Sequence, residues 1–568
     1  MLISRKRVWA GVAVAVGVAA MAATYVVADD RDRGRGGISQ SGEQRNMRRV
    51  GHVDLQGRAS YQPNVIVYPD KRTIAFAGTH GGSMPNPLKP GSPVEPNGTM
   101  LIDVTRPDRP VQTAHIPVPV AGGQAQMARM CLGSDLPGGV SGHVYLMRNV
   151  QGNTAQRSGY EIWDVTDTNN PSPVAALTGI RNTHKLWWEC KTGIAYMPGS
   201  RDVPAPNRWR TGQSMVVYDW SNPPAAVSGS VAPIYPSYPK YIRTYGLVGA
   251  QPDGTGGAPN SLHGPISTFE HPQAGQSLAR AAGPDDVIGN RIYLAWGVGD
   301  DGALQILDRK KLLPPPHGTW VRVVDPDGRD HADRPTVADI ESVQTGLMYM
   351  SPDQGGHTSM PVFGLTPASY ASFIEFKTRD IVLLASESTS DRCQEAPHWS
   401  FVVDVTVENS RIAPPGTRVE QSPWQGPMVL STMWVDPRLG EKYPRGNYCT
   451  RGARYGVHSS EENFRNPYYG RVTFLAYFTG GVRAWDIREP QGPVEVGFYV
   501  PDPANNPPLP NPDADGYMTN NVEVDNRGFI YATDRNGFGL DIIELRGKAK
   551  AIGLGLSTGA RDDDDRDD

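Results

Sequence analysis

The sequence lacks a surplus of positive charge. Its 55 lysine and arginine residues stand against 59 aspartate and glutamate residues, which gives a net charge of −4. A nucleic-acid-binding domain usually carries a basic patch and a basic isoelectric point. The composition therefore argues against a nucleic-acid partner. The acidic end "RDDDDRDD" adds a run of like charges, which predicts a disordered acidic tail over residues 549–568.

Cysteine is scarce, and no CxxC pair is present. The four cysteines are Cys131, Cys190, Cys393 and Cys449. In an oxidising compartment an even number of cysteines predicts disulfides. Their order favours the pairs Cys131–Cys190 and Cys393–Cys449, although three connectivities are formally open. A thiolate metal site is the alternative interpretation.

The N-terminus carries the features of an export segment. "MLISRKR" is basic, residues 8–28 are apolar, and small residues occupy the −3 and −1 positions at Val26 and Ala28. This pattern predicts a signal peptide over residues 1–28. The apolar run is also long enough to remain as a membrane anchor. Both alternatives place the body outside the cytoplasm, either periplasmic or secreted, or anchored to a membrane through this segment alone. Residues 29–55 are predicted to form a polar linker.

Glycine and proline are abundant, with 63 and 51 residues, which is typical of a β protein with many turns. A repeated motif supports this prediction. An apolar strand ends in an acidic residue and is usually followed by a turn with proline, as in "GGVRAWDIREPQGP". An aspartate at a strand end can accept hydrogen bonds from backbone N–H groups two residues on. The acidic positions of the seven copies are Asp103, Asp164, Asp219, Asp308, Asp404, Asp486 and Glu544.

Each copy is preceded by another apolar strand, such as "TIAFAGT" or "DIVLLASES". Seven multi-strand units at uneven intervals of 55 to 96 residues predict an all-β fold, a seven-bladed β-propeller over residues 56–548 with long loop insertions. A series of β-sandwiches is the weaker alternative, because it does not require one strand–Asp–turn signature per unit. Proline-rich insertions at 200–260, 310–340, 407–450 and 501–516 are expected to cover the faces of the propeller.

The motif resembles the LVIVD-repeat family of exported bacterial β-propellers. The similarity is clearest in "GGVRAWDIREPQGPVEVG" (480–497), "NNVEVDNRGFIYATD" (520–534) and "THKLWWECKTGIAYM" (183–197), and it extends over residues 60–545. The resemblance implies the propeller architecture, but it does not identify a function. The family is distantly similar to the selenium-binding protein and methanethiol oxidase propellers. That likeness would imply a copper-dependent oxidation of a small thiol.

The first strand of a propeller blade lines the central channel, so its opening residues are expected near one mouth. Four consecutive blades place a histidine there, although the chain has only 12 histidines. The other three blades offer asparagine or, in one case, methionine or cysteine. The predicted channel-lining residues are His184, His263, His357 and His458, together with Asn64, Cys131 (or Met130), Asn520 and Asn521.

Several imidazoles around one axis are the ligands that a transition metal prefers. Nitrogen donors favour copper, with zinc second, and copper has the higher general affinity. Calcium is disfavoured. The half-loop "NPDADG" at 511–516 resembles a calcium loop, but it has Val522 where a bidentate glutamate is required. The alternative is structural: the four histidines bond to the backbone of the next blade. Cys131 is either a ligand or a disulfide partner.

Four glutamates are candidates for orienting the imidazoles, with surface solvation as the alternative: Glu189, Glu341, Glu461 and Glu462. His80 follows an inner strand and is expected at the opposite mouth. Two functions remain open at this point. The protein is either a metalloenzyme that oxidises a small molecule bound in the channel, or a non-catalytic platform whose loops recognise a protein or a glycan. No particular protein partner is indicated.

Overall fold

The computed structural model describes residues 37–39, 42–259, 261–281, 283–298, 301–367, 377–408, 426–503 and 516–556. The predicted signal or anchor segment lies outside these ranges. So do residues 511–515 of the calcium-like loop and most of the acidic tail. Among the described residues, none of the helices has the length and apolar character needed to cross a membrane.

The strands follow one another along the chain as antiparallel neighbours. The first eleven are β1 (Gly37–Ser39), β2 (Gly42–Arg45), β3 (Met47–Val53), β4 (Ser60–Val67), β5 (Thr73–Thr79), β6 (Ser83–Pro85), β7 (Val94–Pro96), β8 (Gly98–Asp103), β9 (Val111–Pro117), β10 (Ala128–Leu132) and β11 (Val144–Val150). The next eleven are β12 (Gly159–Asp164), β13 (Ser172–Thr178), β14 (Ile180–Arg181), β15 (Trp187–Trp188), β16 (Ile194–Arg201), β17 (Ser214–Asp219), β18 (Lys240–Tyr245), β19 (Leu262–Ser267), β20 (Arg291–Trp296), β21 (Ala303–Asp308) and β22 (Gln344–Tyr349). The last eleven are β23 (Gly356–Leu365), β24 (Arg379–Ser386), β25 (Ser400–Asp404), β26 (Met428–Met433), β27 (Tyr455–Ser460), β28 (Val472–Phe478), β29 (Val482–Asp486), β30 (Val494–Pro501), β31 (Thr519–Val524), β32 (Phe529–Asp534) and β33 (Leu540–Leu545).

These strands form the seven blades predicted from the sequence, each with four strands at its centre. The blades are β4-β5-β8-β9, β10-β11-β12-β13, β15-β16-β17-β18, β19-β20-β21-β22, β23-β24-β25-β26, β27-β28-β29-β30 and β31-β32-β33-β3. The first strand of each blade contacts the first strand of the next, and β31 contacts β4, so the ring closes. The seven-bladed propeller is therefore confirmed.

The ring is closed by the N-terminal part of the chain. β3 pairs with β33 and supplies the outer strand of the last blade, while β2 pairs with β30 and extends the sixth blade. The predicted linker 29–55 is therefore wrong at its C-terminal end, because residues 42–53 form propeller strands. The boundary was missed because β3 carries two adjacent arginines and a histidine and is only partly buried beyond Met47, so it lacks the apolar pattern of a buried strand.

The acidic residues of the repeat end the third strand of the first six blades, as the repeat predicted. Their side chains stabilise the turns that follow. Asp103, Asp164, Asp219, Asp404 and Asp486 each accept a hydrogen bond from the backbone N–H two residues on, at 2.8–3.1 Å. Asp308 instead accepts from the N–H of Lys311 and begins a short helix, α1 (Arg309–Leu312).

The core lies between neighbouring blades. Ala75 and Met100 of the first blade pack against Tyr531 and Ile542 of the last blade in one cluster of buried side chains. Because both faces of each sheet are covered, second strands such as β24 are buried along almost their whole length. This explains why these strands read as continuous apolar runs.

Helices are short and lie in the insertions and at the C-terminus. They are α1, α2 (Val337–Val343) and α3 (Gly547–Gly553), with 3-10 turns at Leu55–Gly57, Ala155–Arg157, Pro437–Lys442 and Tyr448–Thr450. Helix α3 packs beside β29 and β30, so the boundary predicted for the tail, residue 549, falls inside an ordered helix.

Candidate metal centre

Antiparallel pairing brings two sets of residues to one mouth of the channel. The start of each inner strand pairs with the end of the second strand, as Leu262 does with Trp296 and Gly356 with Ser386. Residues that open an inner strand therefore lie beside residues that directly follow a second strand. His263 and His357 belong to the first set, and Glu387 belongs to the second.

The structure brings the four predicted histidines together. The ring centroids of His184 and His263 are 4.0 Å apart, and those of His263 and His357 are 4.1 Å apart. The rings of His357 and His458 are also separated by 4.1 Å. His357 and His458 are completely buried, His263 is 7% exposed, and His184 is partly exposed. The four rings form a continuous row from the third blade to the sixth.

Tyr61 and Glu387 complete the cluster, and the sequence analysis identified neither. The phenol oxygen of Tyr61, in β4, lies 2.7 Å from Nε2 of His357 and 3.4 Å from Nε2 of His263. A carboxylate oxygen of Glu387 lies 3.7 Å from Nε2 of His263, and the other lies 3.5 Å from Nε2 of His458. Both side chains are buried.

His263, His357 and Glu387 satisfy the basic requirement of a metal site. One donor atom from each lies within 4.8 Å of the others. Metal–ligand bonds of about 2.1 Å in a tetrahedral site place ligand atoms about 3.4 Å apart, so a small contraction suffices. Two imidazoles and one carboxylate are a donor set for a transition metal and not for calcium or magnesium.

The tautomer of His458 places an acceptor nitrogen beside the Glu387 carboxylate. Its Nδ1 lies 2.5 Å from the backbone carbonyl of Asn520 and must donate to it. In the neutral ring Nε2 is then an acceptor, and it has no hydrogen-bond partner among the described residues. This lone pair faces the Glu387 carboxylate at 3.5 Å. Two acceptors in that position require a proton or a metal ion, and a carbonyl-anchored imidazole is a common metal ligand.

His184 is less suited to bind a metal in the same way. Its Nδ1 accepts a hydrogen bond of 2.8 Å from the backbone N–H of Lys185, so the neutral ring carries its proton on Nε2. His184 contacts the cluster through its ring, which packs on His263 and at 5.3 Å from Tyr61. Of the four predicted ligands, His184 therefore lies in the cluster as a packing neighbour of His263.

Burial keeps the imidazoles neutral, which is the form that binds metals. It lowers the pKa of His263 to about 3, and it lowers the pKa of His357 well below 6.5, with further contributions from nearby positive charge. Burial would raise the pKa of Glu387, but His458, His263 and the Arg535 guanidinium hold it well below its usual range. The two histidines contribute only while they carry a proton, whereas the guanidinium contributes in every state, so the carboxylate is ionised.

Two guanidinium groups stand beside Glu387. Arg454 Nη1 lies 3.2 Å from Glu387 Oε1, and Arg535 Nη1 lies 3.9 Å from the same oxygen. Their side chains are 21% and 24% exposed, whereas the Glu387 side chain is 7% exposed. These arginines separate the carboxylate from solvent at the mouth of the channel.

His80 corrects one expectation of the sequence analysis. It lies at the same mouth as the other histidines, because it directly follows β5 and so occupies the position in the first blade that Glu387 occupies in the fifth. Its ring is 5.1 Å from that of Tyr61, and Gln126 Nε2 lies 3.3 Å from its Nδ1. The sequence analysis expected His80 at the opposite mouth, and this was wrong because the end of β5 pairs with the start of β4.

The four glutamates expected to orient the imidazoles have other partners. Glu189 binds Arg309 at 2.6 and 2.7 Å, and Glu341 is exposed. Glu461 accepts from the backbone N–H of Phe474 at 2.9 Å, and burial raises its pKa to about 7. Glu462 forms ion pairs with Lys185 and Arg129.

These ion pairs form a second buried cluster on the inner strands. Lys185, adjacent to His184 in sequence, binds Glu462 and also donates to Thr358 at 3.2 Å. Arg129 bridges Glu462 to the amide oxygen of Asn64 at 3.3 Å. Asn64 is buried in β4, and its amide oxygen accepts from the Arg129 guanidinium.

The remaining predicted channel residues have structural roles. Asn520 donates to the amide oxygen of Asn521 at 2.8 Å, and Asn521 donates to Gln62 at 2.6 Å, which joins the last blade to the first. Cys131 is bonded to Cys190, and Cys393 to Cys449. Both predicted disulfides are therefore present, and Cys131 is not a metal ligand. The two bonds indicate an oxidising environment.

A better reading of the repeat could have identified Glu387. In "DIVLLASES" this acidic residue directly follows the second strand of its blade. Tyr61 gave no such signal. It lies three residues before the position assigned to the first blade, and a bulge in the pairing of β4 with β5 turns this part of the strand.

Comparisons with known proteins identify neither a family nor a function. No family model and no curated protein matches the sequence. Similar solved structures include a Dos1 propeller, with 9% identity over 88% of this chain and 96% of that chain and a TM-score of 0.39. Others are a Lactobacillus plantarum protein (9% identity, 84% and 96% covered, TM-score 0.36) and the Kuenenia stuttgartiensis hydrazine synthase (10% identity, 87% and 97% covered, TM-score 0.40). None of them bears on the function of this chain.

Proposed function

We propose that this protein is an exported propeller that binds one transition-metal ion at the mouth of its channel. His263, His357 and Glu387 are the proposed ligands, and His458 is the fourth. The observation that carries the proposal is the convergence of these buried acceptor atoms: three lie within 4.8 Å of one another, and His458 Nε2 faces the same carboxylate without a donor between them. An uncompensated buried acceptor is costly, and a metal ion would remove that cost.

Copper is the proposed metal, with zinc second. Imidazole and carboxylate ligands suit both ions, and copper has the higher general affinity for such a site. A bound copper ion would supply one-electron redox chemistry. We propose that a small molecule reaching the mouth between Arg454 and Arg535 would be oxidised there, with an external electron acceptor taking up its electrons. Within this chain, the Glu387 carboxylate would bring a negative charge to the metal site. The guanidinium groups of Arg454 and Arg535 would hold that carboxylate in position.

Export and family membership belong to the same proposal. The two disulfides favour a periplasmic or secreted location, and the segment 1–28 would direct the chain there as a signal peptide or hold it as an anchor. We further propose that the repeat is of the LVIVD type. The proposed partner is a small molecule in the channel.

A second candidate function is a non-catalytic platform that recognises a protein or a glycan through its loops. Two contacts favour it: Tyr61 already binds Nε2 of His357, and His458 already binds the backbone of Asn520. In this alternative the histidines and Tyr61 form a buried cluster whose hydrogen bonds and ring contacts hold neighbouring blades together.

Elemental mass spectrometry on the exported protein, purified without chelator from cells supplied with copper and zinc, tests the proposal. We expect close to one metal ion per chain, and its loss in the double variant His263→Ala, His357→Ala. The matched control is His52→Ala, His143→Ala, which removes two histidines that bind aspartates outside the cluster and should keep the metal. A folded native protein without metal would overturn the metalloprotein proposal and favour the non-catalytic platform as the function.

A further inference from the structure

A cavity lies at the outer edge of the sixth blade, and it is separate from the proposed metal centre. Its volume is about 230 Å³. One wall is formed by β2, β29 and β30, and the other by the insertion that follows β26. Its lining includes Arg45, Trp434, Lys442, Arg483, Trp485 and Phe498.

The insertion wall is firmly attached to the propeller. The Cys393–Cys449 disulfide holds the turn that carries Tyr448. Arg451 forms a buried ion pair of 3.0 Å with Glu43 in β2, and Arg445 donates to the carbonyl of Pro501 at 2.7 Å. The cavity is therefore pre-formed, which lowers the entropic cost of binding a ligand.

Five of the thirteen lining residues are aromatic. Trp485, Tyr448 and Phe498 are almost fully buried, whereas Trp434 is 40% exposed. Trp434 thus combines a place in the cavity wall with access from solvent. A cavity of about 150 Å³ is large enough to bind benzene, so this one has room for an aromatic ring with a substituent. Apolar walls with a few polar groups are typical of sites for small molecules.

An aromatic cage often binds an organic cation, but the charges here oppose that ligand. Arg45 and Arg483 share a single carboxylate, Glu495, at 3.0 and 3.4 Å. The guanidinium carbon of Arg483 also lies 4.9 Å from the ring centroids of both Tyr448 and Phe498. This side chain therefore already occupies the ring faces that a ligand cation would need. Lys442 adds a third positive charge at the exposed rim.

The hydrogen-bonding groups of the wall show the same imbalance. Three buried N–H groups of lining residues have no acceptor among the described residues: Nε of Arg45, Nη2 of Arg483 and Nε1 of Trp485. Each of these groups is a donor. These buried donors point their positive N–H ends away from any carboxylate, so they add to the positive potential of the wall, which suits a ligand with negative charge better than a cation.

We infer that this cavity binds a small aromatic carboxylate, with the ring between Trp434 and the buried aromatic side chains and the carboxylate toward Lys442 and the two arginines. The site is independent of the metal centre, and metal-free protein should bind the ligand equally well. A neutral ring would fill the same space with lower affinity, and an aromatic cation would be repelled.

Calorimetric titration of the full-length protein, with its disulfides intact, tests this inference. The probes are benzoate, benzyl alcohol, benzyltrimethylammonium and acetate, which separate the contribution of the ring from that of the charge. We expect benzoate to bind most tightly. Trp434→Ala should weaken benzoate binding about tenfold, as for the loss of an aromatic anchor. Lys442→Gln should weaken it about twofold to fivefold, as for an exposed ion pair, and should not change binding of benzyl alcohol.

Two exposed residues on other blades provide matched controls. Tyr349→Ala removes an aromatic ring from β22, and Lys240→Gln removes a lysine charge from β18. Neither should change benzoate binding. Preferential binding of benzyltrimethylammonium, benzoate affinity unchanged in Trp434→Ala, or no binding at millimolar benzoate would each overturn the inference.

Discussion

The phenol oxygen of Tyr61 lies 2.7 Å from Nε2 of His357, although 296 residues separate the two in sequence. Burial raises the pKa of Tyr61 well above 10, so the hydroxyl keeps its proton. In either tautomer of His357 this hydrogen bond occupies Nε2, which is the atom that a metal would use. The hydrogen bond and the proposed metal bond at His357 therefore exclude each other.

Replacing Tyr61 by phenylalanine separates these two roles. Tyr61→Phe leaves Nε2 of His357 without this hydrogen bond, and we expect the metal-free protein to lose about 1 kcal/mol of unfolding free energy. The metal content should be unchanged, because the variant removes a competitor for that nitrogen and no proposed ligand. Urea denaturation of chelator-treated protein and elemental analysis of untreated protein provide the two measurements. Loss of metal would show that Tyr61 is itself a ligand.

The buried ion pair between Lys185 and Glu462 can be tested by a double-mutant cycle. Glu462→Gln leaves the ammonium of Lys185 buried without a counter-ion, and we expect it to cost about 3–5 kcal/mol. Adding Lys185→Met removes one of the two charges that lose their partner, while Arg129 remains, so the double variant should still be more stable than the sum of the single changes predicts.

The control for this cycle is Glu341→Gln, on the exposed face of α2, which should change the unfolding free energy by less than about 1 kcal/mol. Strict additivity of Lys185→Met and Glu462→Gln in urea denaturation would show that the two groups do not depend on each other.

The Cys393–Cys449 bond closes a loop of 56 residues, and the Cys131–Cys190 bond closes one of 59. In the chain-entropy account, loops of this length correspond to about 4 kcal/mol of stabilisation for each bond. We expect Cys393→Ser, Cys449→Ser and Cys131→Ser, Cys190→Ser to lose similar amounts of unfolding free energy. Urea denaturation of the two variants under oxidising conditions measures this, and a loss below about 1 kcal/mol in either would contradict the loop-length argument.

His271 makes the stability depend on pH. It is 3% exposed, accepts from the N–H of Gln273 through Nδ1 at 3.1 Å, and lies 3.0 Å from the Tyr469 hydroxyl through Nε2. Burial, with a smaller contribution from Arg465, lowers its pKa to about 4. The unfolded chain, with a pKa of about 6.5, therefore binds more protons between these two values.

The free energy of unfolding should accordingly fall as the pH drops from about 6.5 to 4, and His271 should contribute about 2–3 kcal/mol of that fall by pH 4.5. The matched variant is His271→Gln, which cannot titrate. We expect the difference in unfolding free energy between pH 7 and pH 4.5 to be smaller in the variant by this amount. An equal difference in both proteins would exclude His271 as the titrating group.

The sequence by itself determined the architecture. The strand–Asp–turn repeat predicted seven blades because an aspartate can stabilise its turn within a few residues, and this local chemistry recurs in each unit. The row of histidines was predictable for a related reason, because equivalent positions of a repeat lie at the same distance from the propeller axis. Cys131 and Cys190, like Cys393 and Cys449, were paired correctly because each pair lies close along the chain.

Only the tertiary structure decided the composition of the candidate site. Glu387 and Tyr61 meet His263 and His357 because the ring closes, and ring closure depends on pairing between β3 and β33, which are almost 500 residues apart. The tautomer of His458 depends on a carbonyl of the next blade, and the position of His80 depends on which mouth its strand reaches. Such contacts join residues that are distant in sequence, and no local pattern encodes them.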